Sequence, residues 1–384
     1  MKNNRIASSL DVCHKGQVFT PAHIVDKMLR LRKRKGTVLE PSCGDGAFFN
    51  SISGCRGVEI DAKLISHPNI WHGDFFEYST ANKFDTIIGN PPYVRYQDIP
   101  AMTKRKLSLD LFDGRSNLYL FFIEKCMRHL ADHGELIFIT PREFIKATSA
   151  KKLNELLYEQ GSITYFEELG DSRVFQGFSP NCAIWRWEKN CSARTVSSGQ
   201  GHFNYADGQI WFGDISSGLL QDSFTVKVGA VSGANHIYYT DKHGETPMVC
   251  SHTRETNKST QVIYNSKNRY LHRHKQTLMQ RLIKNFNENN WWQWGRNCPD
   301  SKEQRIYVNC KTRKENPFFM HKVTDYDGSV MALFPKLKNI DLELAVHKLN
   351  KVQWDKLGFT CDGRLQFTQR SLARAPIDLE SIAA

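Results

Sequence analysis

The chain lacks several features, and each absence narrows its class. No apolar run approaches the roughly 20 residues that a membrane span requires, so no membrane partner is expected. The opening residues, Met1-Lys2-Asn3-Asn4-Arg5-Ile6, carry no apolar stretch of the kind that begins a secretory signal, and the cytoplasm is the expected compartment. The ten cysteines (Cys13, Cys43, Cys55, Cys126, Cys182, Cys191, Cys250, Cys298, Cys310 and Cys361) form no C-x-x-C pair, and no H-E-x-x-H stands among the fourteen histidines. Scattered thiols suit a reducing compartment, and neither a structural nor a catalytic metal is predicted. His272-Arg273-His274 reads as a solvated basic face. There is no internal repeat and no low-complexity tail.

What is present is 384 residues, enough for one large or two medium domains, with 40% hydrophobic and 24% charged side chains. The net charge is +12, and it is unevenly spread: residues 254–322 hold 15 Lys or Arg against 5 Asp or Glu. A polyanionic partner accounts for such a cluster, because each neutralised phosphate releases condensed counterions. On charge alone, a basic solvated surface stays open as the alternative.

The first half alternates short apolar runs with helical spacing, the signature of a parallel α/β sheet. Strands are predicted at 37–40, 57–61, 70–74, 84–89 and 136–140, with a crossover helix over 118–130 ending near His133-Gly134. A closing hairpin is expected from 163–169 and 182–187. Thr20-Pro21 reads as a helix start, with Thr20 capping and Pro21 in the first turn. The Ser- and Gly-rich stretch 190–201 marks a domain junction, which gives domains 1–189 and 190–384. Beyond it the βα rhythm stops, and no fold follows from the pattern.

The sharpest local signal is Asn90-Pro91-Pro92-Tyr93, directly after the apolar strand 84–89. Ligands gather at the carboxyl ends of parallel strands. Paired prolines hold the backbone extended, so a carbonyl and the Asn90 side chain offer two acceptors to the two hydrogens of an amino group. Tyr93 is suited to stack on the ring bearing that amine. A rigid strand-ending turn is the plainer reading of the tetrad alone. Earlier, Glu40-Pro41-Ser42-Cys43-Gly44-Asp45-Gly46 follows a strand, where paired glycines allow a tight turn and close ligand approach. Glu59 ends the second strand, where an acid commonly accepts ribose hydroxyls. Asp74-Phe75 follows the third, placed for an adenine amine and its ring. Each of these alone also suits a structural role.

Taken in order, these segments resemble the gamma class of adenine-specific DNA methyltransferases, the Taq-type modification enzymes. Gly16-Gln17-Val18-Phe19-Thr20-Pro21 is similar to that family's N-terminal motif, followed by Glu40–Phe49, Gly57–Asp61, Gly73-Asp74-Phe75-Phe76 and the tetrad. Asn117-Leu118-Tyr119, Gly134–Pro141 and Val174-Phe175 complete the set over about residues 16–189. The resemblance implies a Rossmann-like seven-stranded α/β methyltransferase sheet, followed by a target-recognition domain of mixed α+β character for which residues 202–375 fit. It implies S-adenosylmethionine as cofactor. Thr20, Glu40, Pro41, Cys43 and Gly44 then serve its methionine end, Glu59 its ribose and Ile60 its adenine, with Gly46 a further cofactor-binding residue. Asp74, Phe75 and Phe122 hold the adenine amine and ring. Asn90, Pro91, Pro92 and Tyr93 take the target base, with Phe175 as a second aromatic contact and Phe178 as its fallback.

The same resemblance implies double-stranded DNA as partner, a base flipped before reaction, monomeric action, a prokaryotic or phage source and a separate cognate restriction endonuclease. Basic residues interleaved with aromatics are the candidate DNA contacts: Arg95, Arg254, Arg269, Arg273, Lys275, Trp292, Arg296 and Arg313. The tryptophans at 291, 292 and 294 equally suit a core. A protein-glutamine or RNA-base methyltransferase and a catalytically silent specificity protein are the rival readings. Enzymes acting on the cytosine amine usually begin the tetrad with Ser, which favours adenine here.

Overall fold

The computed structural model describes residues 19–169, 181–199, 201–213, 218–336, 340–361, 363–377 and 379. They fall into two compact units, Met1–Asp214 and Ile215–Ala384.

The first unit opens with α1 (Ala22–Leu29), which buries Ile24, Val25 and Met28. Pro21 holds its N-cap position and no side chain caps it, so the expected Thr20 cap is not formed. Strands β1 (Val38–Glu40), β2 (Arg56–Glu59), β3 (Ile70–His72) and β4 (Phe84–Gly89) follow. Then come α2 (Ala101–Lys104), α3 (Leu118–His129), β5 (Leu130–Pro141), α4 (Lys151–Glu159), β6 (Gly161–Glu168) and β7 (Cys182–Lys189). The seven strands lie in the order β3-β2-β1-β4-β5-β7-β6. All pairings are parallel except those of β7, which runs antiparallel to both β5 and β6.

Ile87, Ile88, Leu136, Ile137 and Phe138 are wholly buried, as strands covered on both faces require. The connection direction reverses between β1 and β4, so a crevice opens at the carboxyl ends of these two strands. That reversal positions the site.

Two expectations shift. The crossover helix ends at His129 and β5 begins at Leu130, with His133 (φ 59°) and Gly134 inside the strand rather than beyond the helix. The β4–β5 register slips between Phe84 and Thr86, and a Cβ at Gly134 would lie 3.1 Å from the Phe84 carbonyl oxygen.

The stretch read as a junction instead starts a small antiparallel sheet of β8 (Thr195–Val196), β9 (Gly201–Ala206) and β10 (Gln209–Phe212). It packs on the first unit: Phe212 meets Phe166 at 4.5 Å, and Arg194 stacks on Tyr158 at 3.9 Å. The first unit therefore extends past residue 189.

The second unit contains a four-stranded antiparallel sheet, ordered 224–228, 330–335, 306–309 and 318–320, with short hairpins and helices around it. Trp291 and Trp294 lie in one of its cores with Tyr238, Leu271 and Leu278. No helix among the described residues is long and apolar enough to cross a membrane.

Candidate active site

β4 delivers Asn90-Pro91-Pro92-Tyr93 to the crevice. The Asn90 side-chain nitrogen donates to the Thr20 hydroxyl at 3.2 Å, and the Ser42 hydroxyl donates to the Asn90 carbonyl at 3.3 Å. Tyr93 is buried; its hydroxyl donates to the Ile139 carbonyl at 2.8 Å and its ring meets Tyr119 edge-on. Burial holds the Tyr93 phenol well above its ordinary range, so it stays protonated.

The turn after β1 carries Gly44 (φ 53°) and Gly46 (φ 78°) in the left-handed region. A Cβ at Gly46 would stand 2.6 Å from the Asn50 amide. Glu59, at the end of β2, is buried and accepts from the Gly44 amide at 2.7 Å and the Asp61 amide at 2.8 Å. These two donors fix its carboxylate across the turn. Ile60 beside it is 58% exposed. After β3, Asp74 caps a short helical turn through the Phe76 amide at 3.0 Å. Its other oxygen accepts from Thr103 at 2.8 Å and pairs with Lys106 at 3.1 Å. Phe75 stacks on Phe122, 5.0 Å between centroids.

One cavity brings most of these together. Pro41, Gly44, Glu59, Ile60, Asp74, Phe75 and Phe122 line it, and so do Asn90 and Pro92. Thr20, Glu40, Cys43, Gly46, Pro91 and Tyr93 do not. Glu40 points inward and accepts from the Phe49 amide at 2.7 Å; burial, with Asp45 and Glu59 nearby, pushes its carboxyl well above the usual range. Cys43 packs under the turn, its thiol raised far up by burial. Gly46 closes the turn onto the Cys43 carbonyl at 2.7 Å. These three brace the turn from behind. Phe175 and Phe178 lie outside the described residues.

Sequence reasoning missed Ser42 as a lining residue, and Val58, Pro100 and Thr103 as well. The first two adjoin residues already singled out. Pro100 and Thr103 come from the segment between Tyr93 and Asn117. The segment buries Ile99, Leu107 and Phe112, and its ends are closed by Leu118 donating to the Val94 carbonyl at 2.8 Å.

The candidate DNA contacts separate by exposure. Arg95 is exposed and pairs with Asp98. Arg269 and Arg273 line one shallow cavity with Lys242 and Tyr270. Arg313 lines another with Lys314 and Arg364. Arg254 donates to the Asn316 carbonyl, Arg296 to the Gly229 carbonyl, and Lys275 pairs with Glu288. Trp292 is half-buried with Lys267 over its ring at 4.7 Å. Trp291, Trp294 and Arg305 are buried and structural; Arg305 donates to the carbonyls of Ser301, Glu303 and Thr324. Among the described residues, no three His, Cys, Asp or Glu side chains converge to hold a metal.

With this geometry in place, known proteins give it a context. Residues 47–175 match the family model described as Eco57I restriction-modification methylase. The chain is 33% identical over 186 residues to the Type II methyltransferase M.HincII of Haemophilus influenzae, covering 45% of this chain and 37% of that protein. It is 32% identical over 197 residues to the Type II methyltransferase M.TthHB8I of Thermus thermophilus, covering 45% of each. The matched part thus spans less than half the length of these relatives. Among solved structures, the Type IIL restriction-modification enzyme MmeI in complex with DNA superposes with a TM-score of 0.62 at 11% identity, over 92% of this chain and 64% of that one, a likeness of fold. Residues 47–175 are thus similar to a restriction-modification methylase family, and the chain shares its fold with the MmeI structure.

Proposed function

We propose that the chain is an S-adenosylmethionine-dependent DNA methyltransferase that modifies the exocyclic 6-amino group of an adenine flipped out of double-stranded DNA. The observation that carries this reading is a shared cavity: Asn90 and Pro92 of the tetrad open onto the same space as Glu59, Ile60, Asp74, Phe75 and Phe122. The donor set fits an adenosyl group. Glu59 is an acceptor for ribose hydroxyls, Ile60, Phe75 and Phe122 are apolar surfaces for a purine, and Asp74 is an acceptor for its amine.

S-adenosylmethionine supplies an already activated sulfonium methyl when bound. The protein's part is positional and electrostatic. The Asn90 side-chain oxygen and the Pro91 carbonyl accept the two hydrogens of the target amine, drawing its nitrogen out of conjugation. Tyr93 and Phe175 hold the extruded ring. No strong general base is required, because the nitrogen gives up its proton readily once methylated, and the rate rests on alignment.

The basic excess of residues 254–322 supports DNA as the partner, with Arg254, Arg269, Arg273, Lys275, Trp292, Arg296 and Arg313 of the second unit, and Arg95 of the first, as candidate contacts. Action as a monomer in a prokaryotic or phage-infected cytoplasm, beside a separate restriction endonuclease, completes the reading. The names of the relatives, Type II methyltransferases, favour DNA over a protein glutamine or an RNA base.

Expression in a methylation-free host, followed by sequencing for modified bases, tests activity, base and site together. Asn90→Ala is expected to abolish modification in a folded protein that still binds cofactor. Persistent modification in that variant would remove Asn90 from the mechanism.

A further inference from the structure

We propose that Thr103 and Lys106 are positioning residues that make the cavity selective for a 6-amino purine. The inference rests on the cavity being the cofactor site, and it adds two residues from the segment between Tyr93 and Asn117. A carboxylate offers about four lone-pair sites. Three of those on Asp74 are already taken, by the Phe76 amide at 3.0 Å, the Thr103 hydroxyl at 2.8 Å and the Lys106 ammonium at 3.1 Å. Among the described residues' contacts one site remains for a ligand, and like every carboxylate site it accepts only.

A 6-amino purine presents a donor there and completes the set. A 6-oxo purine presents an oxygen, leaving two acceptors opposed in a buried place, a mismatch that sites built on hydrogen bonds reject strongly.

Thr103 is held for this task. It is buried, lines the cavity beside Pro100, and sits on α2 within a segment anchored by Ile99, Leu107 and Phe112. Lys106 bridges Asp74 and Glu77 at 3.1 and 2.9 Å, and this pairing raises its ammonium above the ordinary lysine range. If either donor is removed, an acceptor site opens to water. Water donates to an oxo group as readily as it accepts from an amine, so the distinction between the two purines fades.

The test compares S-adenosylhomocysteine with S-inosylhomocysteine by calorimetry on the full chain. The wild type is expected to prefer the adenosyl ligand. Thr103→Val keeps shape without the hydroxyl, and Lys106→Met keeps the stem without the charge. Each is expected to narrow the preference about tenfold, the size of one hydrogen bond. Equal weakening of both ligands, as a loosened segment would give, overturns the assignment, and so does an unchanged ratio in both variants. A wild type that binds neither ligand overturns the cofactor reading of the cavity and this inference with it.

Discussion

Asn90 and Thr20 are 70 positions apart in sequence, yet the Asn90 side-chain nitrogen donates to the Thr20 hydroxyl at 3.2 Å. The bond settles which way the carboxamide faces, with its nitrogen toward Thr20. The oxygen is thereby turned from Thr20, the orientation an acceptor for an amine requires. Thr20→Val removes the acceptor and keeps the shape. The transfer rate measured in a single turnover at saturating cofactor is expected to fall about tenfold, the worth of one net hydrogen bond. Thr20→Ser restores it. A Thr20→Val protein as fast as wild type would show that the carboxamide is held by something else.

Ile60 and Phe75 are both assigned to the adenine, but they differ in what they do for the fold. Ile60 is 58% exposed, whereas Phe75 is buried between Phe122 and His129. Ile60→Ser is therefore expected to leave the melting temperature unchanged and to weaken S-adenosylhomocysteine binding about fivefold, a partial loss of apolar burial. Phe75→Ala loses binding and destabilises the unit by about 3–5 kcal/mol. Thermal melts and calorimetry on the same preparations separate the two. Similar melting losses in both variants would contradict the assignment.

The site was legible where local sequence carries local geometry. Asn90 stands directly after the apolar run 84–89, so its place at a strand end followed from the run, whereas Glu59 and Asp74 follow short, weakly apolar strands and were singled out by their order in the chain. Thr20 was misread as a cap because the Thr-Pro pair carries that signal whatever the hydroxyl meets, and here it meets Asn90. Thr103 left no trace, since its partner is 29 positions away and no periodicity marks a single hydroxyl in an irregular segment. The junction failed for another reason. Asn190 (φ 54°), Gly199 (φ 80°) and Gly201 (φ 86°) serve left-handed turns around short strands, and the same residue types compose linkers. In the second unit, Trp291 and Trp294 satisfy an apolar core, and their proximity to basic residues in sequence said nothing of which way they face.

The small sheet past residue 189 provides a direct stability test. Phe212 is buried against Phe166, and Arg194 donates to the carbonyls of Tyr158 and Gly161 at 2.9 and 2.6 Å. Phe212→Ala is expected to cost about 3–5 kcal/mol of the first unit's stability, as a buried aromatic truncation does. Denaturant titration reads this directly. A change within error of zero would mean that the sheet rests on the unit without contributing to its core.

His129 closes α3 in an apolar setting. Its ring lies 5.4 Å from Phe75 and 5.5 Å from Tyr78, and its Nδ1 donates to the Asn82 carbonyl at 2.9 Å. Its Nε2 is buried with no hydrogen-bond partner among the described residues. Protonation would place an unpaired cationic N–H there, so burial, reinforced by nearby Lys125, Lys83 and Arg128, lowers its pKa to about 4. The unfolded chain takes up this proton near pH 6.5, whereas the folded protein refuses it until about pH 4. The folded state thus binds fewer protons across that window, and stability rises with pH through it. The contribution is complete above pH 6.5 and is lost as the pH falls toward 4, by about 3 kcal/mol at most. His129→Gln keeps a donor for Asn82 and does not titrate. Between pH 6.5 and 4 the unfolding free energy of this variant is expected to fall less steeply than that of the wild type, with the gap between them narrowing as acid is added. Parallel slopes would mean that His129 accepts its proton in the folded protein as easily as in the unfolded chain.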